Sequence, residues 1–170
     1  MPLEVPAPPI AGITLRPVAP SDEAFLRALY RDTREAELAL APWTPAQKQA
    51  FADDQFRLQD LSYRTNYPGA ALLVIERDAK GIGRLYLHAT PGELGLMDIA
   101  LVAGERNRGL GTAMVKWLQD WAARESCAIA LYVEQFNPAR RFYERLGFVE
   151  VAQEGIYRRM RWTPAALRDD

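Results

Sequence analysis

Cysteine and histidine are nearly missing from this 170-residue chain, with Cys127 and His88 the single examples of each. One thiol excludes an intrachain disulfide framework and any multi-thiolate zinc site. Cys127 precedes Ala128-Ile129-Ala130 and reads as a buried, inert thiol, since free cysteine is among the most buried residue types. One imidazole excludes a multi-histidine metal centre within one chain, and no metal is expected. No motif supports a Ser-His-Asp triad on His88, which reads as a packed or surface imidazole in a strand. Long apolar runs are also missing: none approaches the roughly 20 residues that span a bilayer, so no membrane partner is expected. Nor does either charge dominate, with 21 Lys and Arg against 22 Asp and Glu, a net charge of -1. That balance argues against a dedicated nucleic-acid binder, which is usually basic overall, and leaves only a local basic patch open. The first nine residues hold four prolines and lack the basic and apolar regions of a signal peptide. They read as an extended, poorly ordered arm over residues 1–11, and a cytoplasmic location is the expectation.

Apolar residues make up 49% of the chain. The length suits one domain that buries about two-thirds of its unfolded surface. Residues 12–163 read as that domain and 164–170 as a tail. Ile13 to Val18 alternates like a strand, and Pro17 places it near an edge or a strand end. Ser21 can cap a helix carrying Phe25, Leu26, Leu29 and Tyr30 on one face. Thr44-Pro45-Ala46-Gln47 has capping-box spacing with Pro at the first helical position, opening a helix to about Leu61. Ala71–Ile75 and Ile82–Ala89 read as a hairpin around Asp78-Ala79-Lys80-Gly81. Leu94–Val102 is largely apolar and reads as a central strand. From Gly109 to Arg124 the apolar stripe Leu110, Ala113, Met114, Trp117, Leu118, Trp121 and Ala122 marks the clearest helix. A buried strand over Ala128–Val133 follows. Asn137-Pro138 then opens a helix that Gly147 terminates, and residues 148–152 and 155–162 form a last hairpin. The order predicts a mixed α/β fold, a central mixed sheet of about seven strands with helices on both faces.

The stretch Arg106-Asn107-Arg108-Gly109-Leu110-Gly111-Thr112 lies between the central strand and the strongest helix. Two glycines there cost about 1 kcal/mol each in helix propensity, which points to a demand on the backbone. The first turn of a helix has orphan N–H donors and partial positive charge, so an anion is favoured there. No Gly-Lys-Ser/Thr follows, and the three-glycine dinucleotide spacing is absent. A pyrophosphate cradle of another kind, flanked by Arg106 and Arg108, and a plain glycine-rich turn with solvated arginines both remain. The later segment Asn137-Pro138-Ala139-Arg140-Arg141-Phe142-Tyr143 through Leu146-Gly147-Phe148 has an ordinary structural reading of its own: cap, first-turn proline, packed aromatics and terminating glycine.

Together the two segments resemble the GNAT superfamily of acyl-CoA-dependent N-acyltransferases. Arg106-x-x-Gly109-x-Gly111 is similar to that family's pyrophosphate loop, and the segment from Asn137 to Phe148 to its later helix motif. The element order agrees from about Ile13 to Trp162. Ala103-Gly104 departs from the family where many members carry proline, which should alter a turn. The resemblance implies a GNAT-like fold and acetyl-CoA as acyl-donor cosubstrate. It implies a pyrophosphate on the amides of Asn107, Arg108, Gly109, Leu110, Gly111 and Thr112, beside Arg106. It also implies a pantetheine arm along Ile99, Ala100 and Leu101 and beside Asn137, with Tyr143 facing the sulfur.

The implied reaction is direct attack of an amine on the thioester. An alkyl ammonium has a pKa near 10 by analogy with lysine, so a base must free the amine. Asp98, a charge inside an apolar strand, and Glu134, at the next strand's end, are the candidates, with a water chain as the alternative. Tyr143 is the expected acid, and a strand N–H near Leu101 the expected oxyanion donor. Trp43, Tyr63, Tyr67 and the Asn66-Pro68-Gly69 loop are candidates for the acceptor site or for core. Arg64 suggests a carboxylate on the acceptor. The expected partner is a small-molecule or peptide amine, and an edge strand or the last hairpin would support a homodimer. A non-catalytic acyl-CoA-binding module and a nucleotide-phosphate binder are the competing readings.

Overall fold

A computed structural model describes residues 2–168; Met1, Asp169 and Asp170, at the ends of the expected arm and tail, lie outside the described residues. Seven strands form one sheet, β1 (Ile13–Pro17), β2 (Ala71–Arg77), β3 (Lys80–Thr90), β4 (Glu93–Leu101), β5 (Ala128–Glu134), β6 (Val149–Glu154) and β7 (Tyr157–Trp162). Their spatial order is β1-β2-β3-β4-β5-β7-β6, antiparallel throughout except for β4 with β5. The strand carrying Pro17 is an outer one, where a missing N–H costs least. The apolar β4 sits in the middle of the seven.

Three helices precede β2: α1 (Glu23–Thr33), α2 (Glu35–Leu38) and α3 (Pro45–Asn66). A turn at Pro20–Asp22, not a cap by Ser21, leads into α1, with the Ala19 N–H donating to the Asp22 carboxylate at 2.7 Å. The capping box at α3 is formed in both directions, Gln47 N–H to Thr44 Oγ1 and Thr44 N–H to Gln47 Oε1. The fourth helix, α4 (Leu110–Arg124), crosses from β4 to β5, and α5 (Ala139–Arg145) follows β5. The Asn137 side chain accepts the Ala139 N–H at 2.9 Å, and Gly147 ends α5 at φ +90°.

The sheet separates two environments. Leu85, Leu87, Leu94 and Leu96 join Met114, Val115, Trp117 and Leu118 of α4 in the main core. The Trp117–Trp121 pair stacks on this side as packing (6.3 Å, 12°). Alternate residues of β3 point the other way, towards α3: Gln59 reaches Arg84, and Tyr63 packs edge-on against Tyr86. Alternation along β3 thus sets a charged and aromatic face beneath α3, opposite an aliphatic one beneath α4. The proline-rich arm, expected to be poorly ordered, lies against the body. Leu3, Val5 and Ile10 pack on the core, and Leu3 N–H donates to the Gly69 carbonyl. The apolar residues between its prolines supply the anchors. No helix among the described residues is long and apolar enough to cross a membrane.

Candidate active site

The parallel pairing of β4 and β5 is short. It runs through Glu93–Ala128, Leu94–Ile129 and Gly95–Ala130 and then stops. Beyond that point β4 continues along β3 as far as Leu101, while β5 continues along β7 as far as Glu134. Tyr86 pairs with Asp98 but Leu87 pairs with Leu96, so Met97 is an extra residue in β4. Such a bulge bends its strand, and it falls where β4 and β5 part. The edge of β4 facing β5, from Leu96 to Leu101, is left without a ladder partner. Extended backbone there offers unpaired donors and acceptors to anything that lies alongside.

Following β4, a turn at Ala103–Glu105 leads to the glycine loop. Asn107 (φ +58°) and Gly109 (φ +85°) take left-handed conformations. The first backbone bond of α4 is Ala113 N–H to Gly109 C=O. Among the described residues, no amide from Asn107 to Thr112 donates to protein. A Cβ added at Gly109 would meet nothing within 4 Å. The cradle is therefore open. Arg106 does not reach outward: its guanidinium holds the Leu101 carbonyl (2.9 Å) and Asp32 of α1 (3.1 Å). Arg108 touches the Gly104 carbonyl at the surface.

Where the strands part lies a cavity of about 590 Å³, walled by α3, β3, β4, β5, the start of α5 and β7. Of the sequence candidates it collects Tyr63, Tyr67, Asp98, Ile99, Glu134, Asn137 and Tyr143. Trp43 is elsewhere, packed against Phe51 (5.1 Å), and Arg64 pairs with Asp60 away from the cavity. Asn66, Pro68 and Gly69 line a separate cavity. Ala100 and Leu101 lie further along the free edge, towards the glycine loop.

The charges around the cavity are mostly committed. Asp98 pairs with Arg84, a buried residue whose guanidinium also donates to Gln59 (2.8 Å) and lies over the Tyr86 ring (4.8 Å). Glu93 is shared by Arg159 and Arg161. Arg34 engages Glu37 and the Tyr30 hydroxyl. Glu134 enters no salt bridge among the described residues and is exposed. Burial, helped by the charge of Asp98, pushes the Tyr143 phenol well above its usual range. Tyr63 is raised for the same two reasons. Both stay protonated at neutral pH and can donate. His88, read from sequence as a packed imidazole, also lines the cavity. Burial lowers its pKa below the usual 6.5, against an opposing pull from Glu93.

Sequence reasoning missed Arg84, Gln59, His88 and Arg159. The legible signal was a second charge, Arg84, inside the apolar strand next to that of Asp98. Opposite charges buried in adjacent strands predict each other.

A sheet split beside a glycine-opened helix start, with a protonated phenol in the split, is the arrangement that the resemblance to acyl-CoA-dependent N-acyltransferases implies. The family model described as the acetyltransferase (GNAT) family matches residues 23–148, and the chain belongs to that family. No curated protein matches the sequence. Among solved structures, PaiA N-acetyltransferase from Thermoplasma acidophilum, in complex with coenzyme A, superposes with a TM-score of 0.67 at 16% identity, over 89% of this chain and 99% of that one. An acetyltransferase from Thermus thermophilus gives 0.62 at 17%, over 89% and 97%. Spermidine N-acetyltransferase from Vibrio cholerae, in complex with CoA and spermine, gives 0.59 at 20%, over 91% and 96%.

Proposed function

We propose that the protein transfers the acetyl group of acetyl-CoA to a primary amine of a small molecule or peptide. The observation that carries this is a pair of unpartnered backbone stretches joined by one short turn: the edge of β4 left where β5 parts from it, and the free amides of Asn107–Thr112. An extended thiol arm fits the edge and a pyrophosphate fits the amides. When bound, acetyl-CoA supplies an acetyl group activated as a thioester. Ile99, Ala100 and Leu101 would hold the arm by strand-like pairing, with Asn137 at its side. Arg106 acts by fixing the loop to β4 and α1. Arg108, at the surface with only the Gly104 carbonyl as partner, can turn to meet phosphate.

Tyr143 gives a proton to the departing sulfur. A thiol pKa near 8.5, by analogy with cysteine, makes this a modest demand. Asp98 and Glu134 draw a cationic acceptor into the cavity, where Tyr63, Tyr67, Tyr132 and Tyr157 offer aromatic faces. The Asp98 carboxylate is engaged by the Arg84 guanidinium, which leaves it placed to attract a cation rather than free to take the acceptor's proton. Acceptance of a cation also accords with the spermine bound to the Vibrio cholerae enzyme. Edge strand β6, with Val149 and Val151 exposed, supports a homodimer.

The test is thiol release from acetyl-CoA across a panel of amines. Turnover with at least one amine is expected, falling about 100-fold or more in Tyr143→Phe with CoA affinity kept. CoA binding without turnover on any amine leaves the non-catalytic module.

A further inference from the structure

His88 stands at the point where the sheet divides. It pairs across the sheet with Gly95, the last residue of β4 that pairs with β5. The imidazole lies over that glycine so closely that a Cβ there would fall 2.2 Å from His88 Nε2. Only glycine at 95 lets the ring cross β4 at this point. Tyr67 packs against the ring at a tilt of 38°, centroid to centroid at 4.7 Å. The ring lines the 590 Å³ cavity and also a second one of about 430 Å³, bounded by Glu4 of the arm and by Pro68 and Gly69. His88 is thus a shared wall between the acceptor cavity and a second opening.

The titratable groups near the ring come from three elements. β4 presents Glu93, held by Arg159 and Arg161 of β7; the end of α3 presents Tyr67; the arm presents Glu4. Asp98 is committed to Arg84, and Glu134 lies at the exposed end of β5. The uncommitted, half-buried imidazole is the group here whose ordinary pKa lies nearest neutrality, and burial lowers it.

We infer that His88 is the proton acceptor of the transfer, taking the acceptor ammonium's proton by way of water and releasing it through the second cavity. The inference rests on the function proposed above. An ammonium that becomes an amide loses two protons. The first passes to His88 before the C–N bond forms. The second leaves the nitrogen as the C–S bond breaks and, through water, restores to Tyr143 the phenol proton it gave to the sulfur. One proton reaches solvent per turnover.

A single histidine makes the test direct. In untagged protein the one imidazole Cε1–H signal, followed by NMR, should titrate below 6.5. The acid limb of kcat/KM should show the same pKa, since that profile reports the free enzyme. His88→Gln should remove the limb and lower kcat/KM at pH 7.5 about 100-fold, leaving CoA affinity by calorimetry unchanged. Asp98→Asn should keep the limb. Amine turnover with an unaltered limb in His88→Gln, or an NMR pKa that differs from the limb, overturns the role of His88 alone. Absence of turnover with any amine overturns the proposed function, and this inference with it.

Discussion

Arg84 and Asp98 are an unequal pair, and the inequality predicts how each deletion behaves. The guanidinium is 4% exposed, while the carboxylate is 22% exposed and borders the cavity. Removing a partner from a buried ion pair costs about 3–5 kcal/mol, because the remaining charge stays desolvated. Asp98→Ala strands Arg84, whose other protein acceptor is the neutral Gln59, so urea unfolding should show a loss near the low end of that range, about 3 kcal/mol. Arg84→Met strands Asp98 instead, and the cavity admits water to it, so its cost should be smaller. The double replacement Arg84→Met/Asp98→Leu should recover most of the stability, since apolar residues of similar volume often replace a buried pair at little cost. Equal losses in both single variants would mean that Asp98 is as dry as its partner and cannot face an acceptor.

At the level of elements, α4 shows most clearly how a helix start is shaped for a ligand rather than for helix stability. No side chain caps it, and Gly109 occupies the N-cap position at φ +85°. A non-glycine residue in left-handed backbone costs about 1–2 kcal/mol. A side chain at 109 meets no protein atom within 4 Å and projects into open space beside the amides. Gly109→Val should therefore lower stability by about 1–2 kcal/mol and weaken CoA binding more than tenfold, measured by calorimetry. Equal losses of folding and binding would return the loop to a plain turn. This start was legible because glycine, caps and apolar periodicity are local signals. The cap at Thr44, the stop at Gly147 and the central place of β4 were legible for the same reason. The end of α3 was not: its last turn reaches Asn66, not Leu61, and Tyr63 there packs on Tyr86 (5.8 Å), a contact between distant segments. The bulge at Met97 was hidden because Leu94–Leu101 is too uniformly apolar for a slip in alternation to show. His88 over Gly95 depends on the register between β3 and β4, which no local pattern states. The four-residue α2 carries too little periodicity to be seen.

Across the whole molecule, the sheet is held at its middle by only three parallel residue pairs, and a ligand lying along β4 would complete what the strands leave undone. Folding leaves extended main chain unpaired there, and such groups seek partners. A molecule that meets them binds the folded state alone and stabilises it by mass action, about 2.7 kcal/mol at a concentration 100 times its Kd. For a chain of this size that corresponds to a rise in Tm of roughly 5–10 °C. CoA and ATP separate the parts of the site, because both carry phosphates for the amides of Asn107–Thr112 but only CoA carries the thiol arm. CoA at millimolar concentration should give the full rise and ATP little or none, because phosphate contacts at an exposed loop are screened by salt. The difference between the two ligands should persist in Arg108→Ala, which alters the loop without touching the free edge of β4. A shift with ATP and none with CoA would mean that the parted strands take no arm, and the chain would then be a phosphate binder on an acetyltransferase fold.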